Sequence, residues 1–424
     1  MNTPLAERDK KVIWHPFTKQ YNQNLPIAIS KAKDSILYNE AGTAYIDAIS
    51  SWWVTIHGHG NEYIAKKIYE QALKVEQVIF AGFTHQPAVD LAEKLLPILP
   101  NNFDKIFYSD NGSTSTEVAI KMSLQYWWNK EGRGTKRKKI LAFKNSYHGD
   151  TFGSMSVSDR GVFTLAFHEL LFDVIFIDTP TVENIGDIKA IVHNNADEIA
   201  AFIYEPLVQG AGGMQMYDAY LMTELLNTTK LLDIICIADE VMTGFGRTGK
   251  FFASEYMHKK PDIICLSKGL TGGTMALGVT AVNDRIHQAF VDDDKLKTFF
   301  HGHSFTANPL ACAAANASLD LLLNDNTINI IERLCILIEE GASNLMKTPM
   351  AGQIKNLRRL GTILAFELKS GKDEYLNNIG ESITQKCMQN GVYLRPLGNT
   401  VYIMPPYCIS TDELQKVFDV LEAL

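Results

Sequence analysis

Residues 233–249 read DIICIADEVMTGFGRTG. Positions 234–238 are apolar or small throughout, where a strand with one wet face would alternate. The run therefore predicts a strand covered on both faces, as in a parallel sheet sandwiched between helices. It stops at two carboxylates, Asp239 and Glu240, followed by Gly244, Gly246 and Gly249. A carboxylate at the end of a buried strand has to be paired or hydrogen-bonded, because an isolated buried charge is costly. It is either half of a structural ion pair or an anion held against a cationic ring nitrogen.

The same rhythm extends outward in both directions. Further runs are KIFYS (105–109), KILAF (139–143), DVIFI (173–177), IAAFIY (199–204), DIICLS (262–267) and LGVTAV (277–282). Helix-length stretches such as TEVAIKMSLQYWWNK (116–130) separate most of them. The chain thus predicts an α/β fold with a mostly parallel sheet flanked by helices. Ligands of such sheets bind beyond the carboxyl ends of the strands. Polar residues and glycines gather there: DNGSTSTE, KNSYHGD, EPLVQGAGG and KGLTGG each follow a run. At 424 residues the chain exceeds the usual size of a single core. Residues 61–324 carry the rhythm and form the expected large domain. Residues 1–60 and 325–424 lack it and are assigned to a smaller α+β domain built from both termini.

The net charge of −8 speaks against a nucleic-acid partner, which needs a basic surface. The basic run KRKK (136–139) reads as a solvated loop entering a strand. No apolar run approaches the roughly 20 residues that a membrane helix needs. The polar start MNTPLAERDKK lacks a signal-peptide core. The six cysteines are scattered without a CxxC pair, which suits a reducing compartment. The expectation is a soluble cytoplasmic protein with neither a membrane nor a nucleic-acid partner.

Two further segments at strand ends carry chemistry. In SDNGSTSTEVAI (109–120) a strand ends, Gly112 allows a tight turn, and a helix begins, with Thr114 and Glu117 in a capping-box pattern. The free N–H groups near Gly112, Ser113 and Thr114 make an anion cup aided by the helix dipole. An ordinary capped helix has the same sequence signature. In CLSKGLTGG (265–273) Lys268 ends an apolar strand ahead of three glycines. A lone lysine usually snorkels to the rim, whereas desolvation lowers its pKa and makes it nucleophilic. Asp239 and Lys268 follow consecutive strands. A phosphate cup, a carboxylate and a lysine are together what pyridoxal 5'-phosphate needs for its phosphate, its ring nitrogen and its aldehyde.

Nearly the whole chain resembles the class III aminotransferases of fold-type I. The likeness is carried by QYWW (125–128), VQGAGGM (208–214), IADEVMTGFGRTGKFFA (237–253), LSKGLTGGTMAL (266–277) and ANPLACAAANASL (307–319). WHPFT (14–18), SSWW (50–53), SYHGDTFG (146–153) and VYLRPLGNTVYIMPPY (392–407) are similar to the branch that aminates 8-amino-7-oxononanoate in biotin synthesis. The resemblance implies Lys268 and Asp239 as catalytic residues. Lys268 would anchor the cofactor covalently and shuttle a proton, and Asp239 would keep the pyridine nitrogen protonated. Gly112 and Ser113 would hold the phosphate, completed by Gly302, His303 and Ser304 of a neighbouring subunit. An obligate homodimer with shared sites follows. Tyr147 would line the cofactor ring and the substrate. Phe17, Trp52, Trp53 and Gly302 would line the substrate, and Arg395 would receive its carboxylate through a bidentate pair.

Two positions depart from the family pattern. The usual WHPYT is WHPFT, so Phe17 stacks without a phenol hydroxyl. The usual HGPTF is HGHSF (301–305), where His303 replaces a proline and Ser304 keeps a hydroxyl. In enzymes that take S-adenosylmethionine as amino donor, the position of Phe17 helps recognise substrates. Lysine-using relatives tend to carry a Phe and an HGHS-type segment. The intact tryptophan pair favours S-adenosylmethionine, with lysine as the alternative donor.

Two other function classes fit the chain less well. HGHG (57–60) and HGHS (301–304) are H-x-H pairs that suit zinc, but the chain has neither HExxH nor CxxC, and no metal is expected. A non-catalytic binding protein on the same fold would leave Lys268 without a purpose. Trp52 and Trp53 cannot share one strand face and are expected to wall a substrate pocket. Trp127 and Trp128 read as helix packing.

Overall fold

The computed structural model describes residues 4–21, 24–100, 103–369 and 379–424. All seven apolar runs lie in one sheet. Its order is Phe103–Ser109, Gly278–Asn283, Ile263–Leu266, Ile235–Asp239, Ile199–Tyr204, Lys139–Phe143, Val174–Ile177. Gly278–Asn283 runs antiparallel to both of its neighbours, and the remaining pairs are parallel.

Successive side chains of these strands enter different cores. Leu141 and Phe143 join one apolar cluster with Ile188, Val192, Met222 and Leu225 of the helices Ile185–Asn194 and Ala219–Leu231. Ile140 and Ala142 join another with Val118 and Trp127 of the helix Gly112–Glu131. With a core on each side, every position of Ile199–Tyr204 and Ile235–Asp239 is buried. That is why the sequence shows unbroken apolar runs instead of alternation. Trp127 packs as expected, and its Nε1 donates to the Ala200 carbonyl at 2.8 Å. Cys236, Cys265, Cys312 and Cys387 are buried, and all six cysteines are free thiols.

The two ends of the chain meet beside this sheet. Ile29–Lys33, Ile36–Asn39 and Ala44–Asp47 form a four-stranded sheet with Val392–Tyr393. The last pairing is parallel and sets Val392 opposite Ile46 and Tyr393 opposite Asp47. Ile354–Leu360, Ile363–Leu368 and Thr400–Ile403 form an antiparallel sheet of their own. These pairings bring the Trp52 and Arg395 segments side by side. Among the described residues, no helix is long and apolar enough to cross a membrane.

Candidate active site

A cavity of about 710 Å³ lies at the carboxyl ends of the central strands, with Ser113, Tyr147, Glu205, Asp239 and Lys268 on its wall. Each stands at or just beyond the carboxyl end of a different strand, as the topology of an open α/β sheet dictates.

Gly112 and Ser113 open the helix Gly112–Glu131 and line the cavity. The capping box is offset from the expected one. The Asn111 side chain accepts from Thr114 N at 3.0 Å, and Thr114 Oγ1 accepts from Asn111 N at 3.1 Å. Gly112 is already helical, so the last extended residue with a side-chain acceptor is Asn111. Glu117 instead accepts from Thr151 Oγ1 and Ser154 N. A Cβ on Gly112 would lie 2.6 Å from Val241 Cγ1, so only glycine leaves this cradle open. Ser113 Oγ accepts from Thr151 N at 2.9 Å.

Asp239 and Glu240 have separate fates. Glu240 turns away and accepts from Thr243 Oγ1, Ala253 N and Ser254 N. It closes the loop after the strand and needs no ligand. Asp239 faces the cavity, with Val241 N donating to Oδ1 at 3.1 Å and His148 Nδ1 2.7 Å from Oδ2. The His148 backbone N–H donates to Ser158 Oγ, while its buried ring Nε2 has no hydrogen-bond partner among the described residues.

Lys268 starts a 3₁₀ turn with a φ of 48°. Its Nζ sits 5.0 Å from the centre of the Trp53 ring. Among the described residues, no group accepts a hydrogen bond from it. Burial pushes its pKa below that of a free lysine, against the opposing pull of Asp239 and Glu205. Glu205 is pushed up to about 7, chiefly by burial, with Asp239 adding to the rise and His148 and two backbone N–H donors opposing it. Those donors are Tyr147 N at 3.0 Å and Gly210 N at 2.8 Å.

The tryptophan pair is not in a strand. Ser50–Trp53 is a single distorted turn with φ values of 52°, 58°, 150° and 71°. The turn sends the two rings to different places. Trp53 is buried against Tyr402, to whose hydroxyl its Nε1 donates at 3.0 Å. Trp52 is 37% exposed and carries the Arg395 guanidinium 4.8 Å from its ring centre. Phe17 packs edge-on to Trp52, and Phe163 bridges Phe17 to Tyr147. A second cavity of about 570 Å³ meets the first at Tyr147, Gly149 and Asp150. Sequence reasoning missed His148, Glu205 and Phe163. His148 and Glu205 stand in segments already noted after strands, but their partners are remote in sequence.

Gly302, His303 and Ser304 do not line the cavity of their own chain. His303 Nε2 is 3.9 Å from Oδ1 of Asp110, a residue of the cavity wall. The two H-x-H pairs go to separate partners: His57 to Ser318, His59 to Asp47, and His301 to Lys121. Among the described residues, the one set with metal-ligand spacing is Asp104, Asp284 and His287, at a partly exposed site away from the cavity.

The profile of class III aminotransferases matches residues 17–424. The chain is a class III aminotransferase. It is 44% identical over 416 residues to the adenosylmethionine-8-amino-7-oxononanoate aminotransferase of Synechococcus elongatus, covering 96% of each chain. The enzyme of that name from Methanocaldococcus jannaschii superposes with a TM-score of 0.93 at 33% identity, over 99% of this chain and 98% of that one. An amine transaminase from an uncultivated Pseudomonas species, in its PLP-bound form, superposes with a TM-score of 0.89 at 28% identity, over 97% and 98% of the two chains.

Class III aminotransferases depend on pyridoxal phosphate, and the residues present fit that group. On the wall of one cavity the aminotransferase offers an uncommitted amine at Lys268, a carboxylate backed by a histidine at Asp239, and a glycine-opened helix start. These match an aldehyde, a ring nitrogen and a phosphate.

Proposed function

We propose that this aminotransferase moves an amino group onto the ketone of 8-amino-7-oxononanoate, giving 7,8-diaminononanoate for biotin synthesis. The observation that carries the assignment is Arg395 stacked 4.8 Å over Trp52, a ring that Phe17 and Phe163 join to Tyr147 on the wall of the lysine cavity. A long apolar acid needs an aromatic wall along its chain and a planar cation at its far end. The names of the relatives support the same substrate.

When bound, pyridoxal phosphate supplies the exchangeable carbonyl and the electron sink. Lys268 is the proposed covalent anchor. Its Nζ, released when the donor amine takes its place, would carry a proton from the carbon bearing that amine and would return one to the acceptor carbon. Burial keeps more of that amine neutral at a given pH than in a free lysine. Asp239, backed by His148, holds a proton on the ring nitrogen. The amides of Gly112 and Ser113 hold the phosphate at the helix start. Tyr147 covers the ring, and Phe17, Trp52 and Phe163 hold water off the substrate chain.

The phosphate site is completed by Gly302, His303 and Ser304 of a second copy, which makes a homodimer with shared sites. Residues 1–60 and 325–424 act as the small domain that presents Trp52 and Arg395 to the large one, residues 61–324. The enzyme works in the cytoplasm. S-adenosylmethionine is the assigned donor, with lysine as the alternative because Phe17 lacks a hydroxyl.

The test offers the holoenzyme 8-amino-7-oxononanoate with S-adenosylmethionine or lysine in separate reactions, and follows the product by mass. Product with S-adenosylmethionine is expected. Product with lysine alone changes the donor, and product with neither overturns the acceptor. Phe17→Tyr is expected to lower the KM of a donor that uses the hydroxyl.

A further inference from the structure

Asp47 ends the strand Ala44–Asp47, and its side chain is fully buried. Both of its carboxylate oxygens are used. Oδ1 accepts from Ser51 N at 2.9 Å and Ile49 N at 3.3 Å. Oδ2 accepts from Ser51 Oγ at 2.8 Å and lies 2.9 Å from His59 Nε2. His59 is itself fixed by a two-way backbone bridge to Asp34, at 2.7 and 2.9 Å.

What these bonds tie down is the turn Ser50–Trp53, four consecutive non-glycine residues with positive φ. L-residues avoid that region, and such strain persists only where the surroundings over-determine it. The far side of the turn is also held: Ser50 Oγ donates to the Met404 carbonyl at 2.8 Å, and Arg247 donates to the Trp53 carbonyl at 3.3 Å. Tyr393, paired with Asp47 across the sheet, precedes Arg395 by two residues. One carboxylate thus sits at the root of both halves of the Trp52–Arg395 stack.

We infer that Asp47 and His59 are positioning residues for the substrate wall. The pair forces the turn that sets Trp53 beside Lys268 and Trp52 beneath Arg395. Neither touches substrate; both act through the turn. Without the clamp, the Ser51 amide and hydroxyl lose their acceptor, the turn relaxes toward ordinary backbone, and Trp52 leaves Arg395. The inference rests on the proposed role of Trp52 and Arg395 as the acceptor's wall.

The experiment compares wild-type holoenzyme with His59→Leu, His59→Gln and Asp47→Asn. It reads the acceptor's KM and kcat, the visible band of the bound cofactor, and the near-ultraviolet circular dichroism of the tryptophans. His59→Leu is expected to raise KM about tenfold, the effect of one lost charge-assisted bond. It should also change the tryptophan dichroism while leaving the visible band as in wild type. His59→Gln keeps an N–H donor and is expected to restore most of both. Wild-type KM and dichroism in His59→Leu and Asp47→Asn would overturn the inference. So would a loss of the visible band in His59→Leu that His59→Gln does not repair, since that is general damage. If Asp47→Asn fails to fold, the two His59 variants decide. If wild type does not aminate 8-amino-7-oxononanoate, the substrate assignment fails, and the dichroism of the variants still decides the clamp.

Discussion

His148 Nδ1 stands 2.7 Å from Asp239 Oδ2, and both side chains are buried. The only other donor to this carboxylate among the described residues is the Val241 amide. Removing the imidazole therefore leaves a buried anion short of a partner. A lost bond to a charged group costs about 1.5–3 kcal/mol. His148→Leu is expected to lower kcat by roughly 10- to 100-fold and to move the pH at which the cofactor's visible band titrates. His148→Gln, which can still donate, should lie between Leu and wild type. A titration unchanged in His148→Leu would show that the histidine does not act through Asp239.

The Arg395–Trp52 stack predicts a preference for free acids. A guanidinium that meets a carboxylate has little to offer its methyl ester. Wild type should favour 8-amino-7-oxononanoate over the ester in kcat/KM by about 10- to 100-fold. Arg395→Met should lose that preference while still turning over the ester. Retained preference in the variant would place the carboxylate elsewhere. Arg395→Lys is not a conservative control, because an ammonium neither stacks flat on Trp52 nor makes a two-pronged pair.

The sheet was legible because covering both faces imposes an unbroken apolar pattern, and all seven runs became its strands. Direction was not legible. LGVTAV has the composition of its neighbours, yet Gly278–Asn283 runs against them. The helix start at Gly112 is visible in the sequence, but its cap is ambiguous there, because Asn111 and Thr114 both suit the role and the structure uses Asn111. Long-range pairs were out of reach. His148 and Asp239 are 91 residues apart. The tryptophan turn was harder still, since local preference opposes positive φ at Ser50, Ser51, Trp52 and Trp53. Tertiary hydrogen bonds impose it, and nothing within SSWW announces them.

Glu205 predicts a pH dependence of stability. Its ordinary value is 4.5, and burial raises it to about 7 in the folded chain. Between those values the folded state keeps a proton that the unfolded state has released. Stability therefore falls as pH rises through that window and levels off above it. The size is about 3 kcal/mol. Glu205→Gln removes this contribution. Urea midpoints at pH 5 and pH 8 should separate more widely in wild type than in the variant, although Gln satisfies only one of the two amides. Equal separations would show that Glu205 does not titrate in the folded protein.

The last prediction concerns the shared site. If Ser304 serves the partner's phosphate, Ser304→Asp places a carboxylate against it and abolishes cofactor binding in trans. Lys268→Ala abolishes turnover in cis. Each variant alone should be inactive. In a mixed dimer both lesions fall on one site and leave the other intact. Refolding equal amounts together should then regain about a quarter of wild-type activity, since half the dimers are mixed and each has one good site. The visible band should return in the same proportion as the mixed dimers form, measured by differently tagged chains. No recovery, with mixed dimers present, would mean that Ser304 acts on its own chain. The 3.9 Å approach of His303 to Asp110 would then mark a loop that closes on its own cavity.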